Sequence, residues 1–402
     1  MNTQAAPHLP ATHYLDNRIF TDPAVFAEER DKLLGRVWQF VCHESEVAGP
    51  GDYRSTQIAG KPIVIVRGED LVVRAFYNIC RHRAAEVVRE DSGHAESFTC
   101  FYHHWDYGLD GRLRSVAKPA GYEPVKLDKS ELGLIPVRCE VLGGLVFACL
   151  DAAMPELRVF LGDVTAGFLE QLGTVPMEVF HFHKAVLKTN WKLWQDNNSE
   201  RYHSMLHASN RKTLPWVMGK TSPMKLRIYP NGHSGYWTDG EVAKVDYSRG
   251  GYEGIIGGAL PGMRDAEMRV INLFPDLMIN IRSNVVRLDR MVPLEAGLTM
   301  VEWRGLGVKG DSPEQRAIRL RHHNLFWGPT GRNLPEDVIA VESQYRAMCA
   351  DGVRHSILAR EEDLNPTDDA NLRAYYQEWA RLMGRAASDI EVVREVAAGV
   401  AS

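Results

Sequence analysis

Hydrophobic and polar positions follow three different rhythms along the chain. "TDPAVFAEERDKLLGRVWQF" opens with Thr21 and Asp22 as cap candidates and Pro23 in a first-turn position, and its apolar residues then recur at helical spacing. This predicts a helix over 23–38. From there to about residue 150 the texture is short β-rich runs, "KPIVIVRGED", "LVVRAFYNI" and "LIPVRCEVLGGLVFACL", broken by Gly, Pro and Asp. "RGEDLV" reads as a hairpin turn. Beyond Asp151 the pattern is mixed. A helix is expected over "VTAGFLEQLG", a strand through "EVFHFHKAVLKT", and a strong helix from Asn190. Strands follow in "MRVINLFPDLMINIRSNVVRLDRMVPL" and "GLTMVEWRGLGV", then a helix-rich tail from about Ser312. No internal repeat or low-complexity linker interrupts this order.

A length of 402 residues exceeds one ordinary core, so two domains are expected. With 45% hydrophobic and 25% charged residues the composition is that of a globular protein. A net charge of -5 argues against a nucleic-acid partner and offers nothing to a membrane surface. No apolar run reaches spanning length, and "MNTQAAPHLPATHYLDN" lacks the pattern of a secretory signal, so a cytoplasmic location is expected. Six cysteines are too few for a disulfide scaffold. Cys42, Cys139, Cys149 and Cys349 stand singly and are expected as buried thiols.

The other two cysteines carry chemistry. In "CRHRAAEVVREDSGHAESFTCFYHHW", Cys80 and His82 form one short clip, and Cys100 and His103 form a second. Zinc sites usually pair Cys with Cys and His with His along the chain. Here each clip mixes one of each. That suits a [2Fe–2S] cluster of the Rieske type, with two thiolates on one iron and two imidazoles on the other. His104, beside His103, breaks the spacing and is expected at a surface or an interface.

A Rieske unit is an electron-transfer module, and the rest of the chain must receive its electrons. In "LKTNWKLWQDNNSERYHSMLHASN", a helix continuing from Asn190 would bring Glu200, His203 and His207 within roughly 60° of one another, with Asp196 on the same stripe. Two histidines at this spacing can hold one metal ion. Two His and one carboxylate make the facial triad of non-haem Fe(II) oxygenases. Glu200, Asp196 and the distant Asp337, in "FWGPTGRNLPEDVIAVESQ", are all candidates for the carboxylate, and the pattern alone does not choose.

The clips, then "NWK…DN…E.YH…H", then "GPTG….ED….ES" together resemble the α (large, catalytic) subunit of Rieske non-haem iron ring-hydroxylating oxygenases. The resemblance covers nearly the whole chain, and "NLRAYYQEWARLMG" looks like the family's C-terminal helix. "VWQFVCHESEVAGPGDY" is similar to the start of the Rieske domain in relatives acting on benzoate-, terephthalate- and salicylate-like substrates. It implies an α+β protein: a small all-β Rieske domain over 40–150 and a larger α+β catalytic domain over 151–402, built on an antiparallel sheet flanked by helices. Residues 1–39 would be a helical segment packed on the catalytic domain. It implies Asp337, six residues past Gly331, as the third iron ligand with His203 and His207. Glu200 then falls where the family has a carboxylate linking the Rieske histidine of one subunit, His103, to the iron-ligating His203 of its neighbour in a trimer. Two features depart from the pattern. The bridge is most often Asp, and ring-dihydroxylating relatives usually place four residues between the histidines where "HSMLH" has three. Glu bridges also occur in relatives that oxidise quaternary amines.

The implied activity is that of a terminal oxygenase component using O2. Electrons would come from NAD(P)H through a separate reductase or ferredoxin, since the chain lacks a Gly-x-Gly-x-x-Gly motif after a strand and a four-Cys ferredoxin run. A small β subunit is a further possible partner. The substrate is expected to be an aromatic carboxylate, with Arg282 and Arg287 as candidates to bind its carboxyl group. Tyr236, Trp237 and Met224 are candidate pocket residues or core. Monooxygenation of an aliphatic substrate, or of an N-methylated or quaternary amine, is an alternative on the same scaffold. A non-catalytic electron-transfer protein would lack the second iron.

Overall fold

The computed structural model describes residues 5–208, 224–238, 255, 257–264, 267–359, 364 and 367–390. The outermost residues of the 1–39 and 151–402 stretches lie outside this range. A short ladder pairs β1 (Tyr14–Asp16) with β19 (His355–Ile357). Two seven-stranded antiparallel sheets dominate the rest.

The first sheet contains β2 (Gln39–His43), β3 (Asp52–Ile58), β4 (Lys61–Arg67), β5 (Val73–Tyr77), β6 (Ser92–His94), β10 (Pro136–Leu142) and β11 (Leu145–Cys149). Their order is β2-β11-β10-β5-β4-β3-β6. The β-branched run in "KPIVIVR" fills β4, and Ile63 to Val66 are fully buried between two small cores. "RGEDLV" is the β4–β5 hairpin. Its Val72 carbonyl accepts from Gly68 at 2.9 Å, and Leu71 takes a left-handed φ of 63°. A small sheet of β7 (Phe98–Thr99), β8 (Asp106–Tyr107) and β9 (Leu113–Ser115) lies at the far end.

The second sheet contains β12 (Met177–Leu187), β13 (Met224–Ile228), β14 (Ser234–Thr238), β15 (Met268–Leu273), β16 (Leu277–Arg282), β17 (Val285–Glu295) and β18 (Leu298–Val308). Their order is β12-β18-β17-β16-β15-β14-β13. The period-two geometry of a strand assigns its two faces different work. Register places Arg287 opposite Gly305 and Asp289 opposite Trp303, on the face covered by the helices Trp191–Ser199 and Pro313–Trp327. Arg290 and Arg304 lie on the other face and reach the first domain: Arg290 donates to the Gln57 carbonyl in β3 at 2.9 Å, and Arg304 meets Glu46, in the turn between β2 and β3, at 2.7 Å. With both faces covered, β17 is buried from Val285 to Val292.

The N-terminal helix is shorter than the apolar spacing predicts. Asp22 caps it, its carboxylate accepting from Ala24, but the α-helix covers only Pro23–Glu29 and a π turn follows over Arg30–Leu34. Val37 and Trp38 keep the apolar rhythm because they pack in the same core, although the backbone has left the helix at Gly35. Glu29, fully buried, accepts from the indoles of Trp191 at 3.0 Å and Trp379 at 2.7 Å and pairs with Lys192 at 2.7 Å. One carboxylate thus ties this helix to the helices Trp191–Ser199 and Ala370–Met383. The cysteine expectation holds for Cys42 and Cys149 only. Cys139 is half-buried, and Cys349, at the solvent-facing end of the helix Leu334–Met348, is exposed. Among the described residues no helix is long and apolar enough to cross a membrane.

Candidate metal centres

The two cysteine–histidine clips fold into the same turn. Cys80 donates its N–H to the carbonyl of Ala85 and accepts from Ala84; Cys100 donates to Trp105 and accepts from His104, all at 2.8–3.0 Å. Each turn closes on a residue with positive φ, Ala84 at 60° and His104 at 54°. His104 is thereby turned out to the surface, while His103 stays with the quartet. The two turns bring like to like. The Cys80 and Cys100 thiols are buried and in hydrogen-bonding contact, and the His82 and His103 rings lie 4.5 Å apart, centre to centre, nearer the surface. Burial holds the Cys100 thiol above its ordinary range, opposed by the N–H groups of Tyr102 and His103 directed at its sulfur.

Neighbouring side chains fix this arrangement. Trp105 stacks on His82 with 9° between planes, and the Tyr122 hydroxyl reaches His82 Nε2 at 3.3 Å. The other nitrogen, Nδ1, is buried without a hydrogen-bond partner. The Tyr107 hydroxyl lies 3.3 Å from the Cys80 sulfur. Two sulfurs on the buried side, two imidazoles on the outer side and a free Nδ1 fit a [2Fe–2S] cluster whose irons differ in ligation.

At the second centre the structure corrects the continuous helix expected from Asn190. The α-helix covers Trp191–Ser199, its first turn capped by the Asn190 side chain accepting from Lys192. It ends where Glu200 adopts extended φ/ψ of -110°/165°. A 3-10 turn over Tyr202–Met205 follows and carries His203. The residues converge because the chain bends back on itself, so no single helical face presents them. His203 Nδ1 bonds Glu200 Oε1 at 2.7 Å, and His207 Nδ1 bonds Glu336 Oε2 at 2.9 Å. Both Nε2 atoms then face Asp337 Oδ1, at 3.7 Å for His203 and 3.4 Å for His207.

Asp337 enters from the first turn of the helix Leu334–Met348. Of the three carboxylates the sequence left open, it is the one grouped with both histidine nitrogens, all three atoms within 4.8 Å. Its Oδ1 is buried without a hydrogen-bond partner. Burial pushes this carboxyl above its ordinary range, and the two imidazoles and Arg287 oppose that shift. An inward lone-pair set with oriented imidazoles and one open side fits a divalent iron ion. Asp196 serves elsewhere: it accepts from the Tyr376 hydroxyl at 2.7 Å, and burial raises its pKa to about 8. Glu336 was not singled out by sequence reasoning; its position beside Asp337 was the available signal.

The open side of the triad faces a pocket lined in part by Arg201, Tyr236, Asn280, Arg282, Arg287 and Trp327. Arg287 is engaged, with Asp289 at 2.7 Å and Asn198 at 2.7 Å. Arg282 lies over the rings of Phe326 and Trp327. Arg201, which sequence reasoning passed over, is buried among Tyr236, Met224 and Met268. Among the described residues no carboxylate lies within ion-pair distance of its guanidinium. Of the other pocket candidates, Met224 is buried beside Arg201, and Trp237 packs against Phe168 and Tyr229 away from it.

A two-iron cluster domain joined to a domain with a His/His/Asp iron site defines a Rieske non-haem iron oxygenase, and comparison with known proteins agrees. Residues 37–127 match the Rieske [2Fe-2S] domain, and residues 175–385 match the catalytic domain of the ring-hydroxylating α subunit. The chain belongs to the family of ring-hydroxylating oxygenase α subunits and carries its cofactors, one Rieske cluster and one mononuclear iron. It is 39% identical to the α subunit of 2-aminobenzenesulfonate 2,3-dioxygenase of Alcaligenes sp, over 95% of this chain and 97% of that one. It is 36% identical to the α subunit of the methanesulfonate monooxygenase hydroxylase of Methylosulfonomonas methylovora, over 96% and 95%. Naphthalene 1,2-dioxygenase from Rhodococcus sp., solved with indole, shares the fold at 22% identity with a TM-score of 0.80, covering 92% of this chain and 94% of that one.

Proposed function

We propose that this chain is the terminal oxygenase component for a small organic acid, an aromatic sulfonate or carboxylate, whose anionic group is held by Arg201. The observation that carries this reading is a buried guanidinium beside the iron triad whose hydrogen bonds go to thioether sulfurs and not to a carboxylate. Burial penalises this cation more than the neighbouring Tyr236 and Glu200 offset, and an anionic ligand would reduce that cost. Arg282 and Arg287 line the same pocket and add to its positive wall. Relatives named for sulfonates, at 39% and 36% identity, bring sulfonates into a class first framed as carboxylates.

In this reading Cys80, His82, Cys100 and His103 hold the cluster, and His203, His207 and Asp337 hold the iron. Glu200 orients His203 and links it to His103 of a neighbouring subunit in a homotrimer. Iron supplies O2 activation when bound, with electrons drawn from NAD(P)H by a separate reductase. The residues around it fix imidazole tautomers, seat the anion and keep the reacting carbon beside the open face of the triad. A second reading, monooxygenation of an alkyl sulfonate, is favoured by the methanesulfonate relative.

The test is O2 uptake with product analysis on reductase-coupled enzyme, across aryl sulfonates, aryl carboxylates, alkyl sulfonates and neutral arenes. Arg201→Gln should raise KM for the anionic substrate about 10–100-fold, the worth of a charged hydrogen bond of about 1.5–3 kcal/mol. A neutral analogue should keep its KM. Equal effects on both would remove Arg201 as the anion partner. A diol or phenol product separates ring oxidation from alkyl hydroxylation.

A further inference from the structure

A second group of metal-ligating side chains lies outside the iron triad: His181 and His183 on β12, and His323 on the helix Pro313–Trp327. One nitrogen from each falls within 4.8 Å of the others. We propose that these three histidines form a binding site for a divalent transition ion of borderline softness, zinc in the first instance, which clamps the edge strand β12 to that helix.

Three observations support the site. First, three of the six ring nitrogens lack other work. His181 Nε2 and His183 Nδ1 approach to 3.0 Å, but His183 Nε2 and both nitrogens of His323 are buried without hydrogen-bond partners. His323 is fully buried, so its ring is desolvated with nothing in return. Buried ring nitrogens with unmet hydrogen bonds are destabilising, and a shared ion would satisfy a lone pair on each ring. Burial also depresses the pKa of all three, His183 to about 4, which keeps them neutral and able to ligate.

Second, the backbone is shaped for this approach. Gly305 pairs with His181 across β18, and a Cβ there would lie 2.8 Å from His323 Nδ1. A bulge between Val179 and His181 re-aims the strand at this point. Third, the rings are held. His183 stacks on Trp303 at 16° between planes, and His323 packs edge-on against Phe180 and Trp327. The nearby cation, Arg287, is neutralised by Asp289, so it does not repel an ion. His181 and His183 are only half-buried, which leaves an approach from the edge of the sheet. Three neutral imidazoles suit zinc, cobalt, nickel or copper better than calcium or magnesium.

Test this on the iron-loaded holoenzyme by equilibrating it with Zn2+, removing free metal and collecting diffraction at the zinc edge. The expected result is an anomalous peak between the three rings, with Zn–N distances of about 2.0–2.1 Å. His183→Gln should lose that peak and one zinc equivalent per chain while keeping its iron and sulfide content. If that variant does not fold, His181→Gln at the half-exposed position serves instead. No zinc at the trio in the wild-type crystal, or zinc only where iron binds, would overturn the proposal and leave three packed, neutral core histidines.

Discussion

Residue chemistry at the iron centre depends on groups that hold the ligands. Both histidines are fastened through Nδ1 by a glutamate, Glu200 for His203 and Glu336 for His207, which leaves Nε2 facing Asp337. Partners of this kind are typically worth about 10–100-fold in metal affinity. Glu336→Gln is therefore expected to lower Fe(II) affinity about 10–100-fold without loss of the Rieske spectrum. Competitive chelation followed by iron analysis measures it. Unchanged affinity would mean that His207 is oriented by packing alone. The sequence made His203 and His207 legible because their spacing is local. It did not reveal Glu336 or Arg201, because an ordinary Glu and Arg acquire meaning only from what lies opposite them.

At the scale of elements, the helix that leads into the histidine-bearing turn is positioned from outside itself. Asn190 donates to the Phe20 carbonyl at 2.9 Å and the Ala296 carbonyl at 2.8 Å, and Glu29 gathers Trp191, Lys192 and Trp379. Removing one partner of a buried ion pair costs about 3–5 kcal/mol, because the other charge stays buried. Glu29→Ala should lower the urea midpoint accordingly, with Lys192 left uncompensated. The double variant Glu29→Ala/Lys192→Met should recover part of that loss. A Glu29→Ala midpoint equal to the wild type would show that water replaces the carboxylate. The apolar spacing announced both the N-terminal helix and the helix from Asn190, but overran their ends. Periodicity reports which residues are buried, and Val37, Trp38 and His207 are buried without being α-helical.

Across the whole molecule, the two sheets are joined through buried charge. Arg304 meets Glu302 at 2.9 Å and Glu46 at 2.7 Å, Arg290 meets Glu302 at 3.5 Å, and Arg54 meets Glu46 at 3.4 Å. Burial alone would raise the Glu302 carboxyl, but Arg304, Arg290 and Arg54 outweigh it and hold its pKa at about 2, against an ordinary 4.5. A depressed carboxylate contributes stability that is present above its unfolded pKa and is lost as pH falls toward the folded one. Between about pH 5 and pH 3 the wild type should therefore lose stability faster than Glu302→Gln, read as denaturant midpoints across that window. Parallel profiles would place the acid sensitivity elsewhere. The sequence by itself determined the two metal chemistries and the class of fold. Clip spacing, β-branched runs and turn residues act over a few positions, where covalent geometry leaves little choice. Tertiary structure, and no local pattern, groups Asp337 rather than Glu200 or Asp196 with the two histidine nitrogens, sets Glu336 on His207, and leaves Arg201 without a carboxylate at ion-pair distance among the described residues. It also brought His323 against His181 and His183. Each of these depends on strand register and helix packing between residues far apart in the chain, and no local pattern encodes that distance.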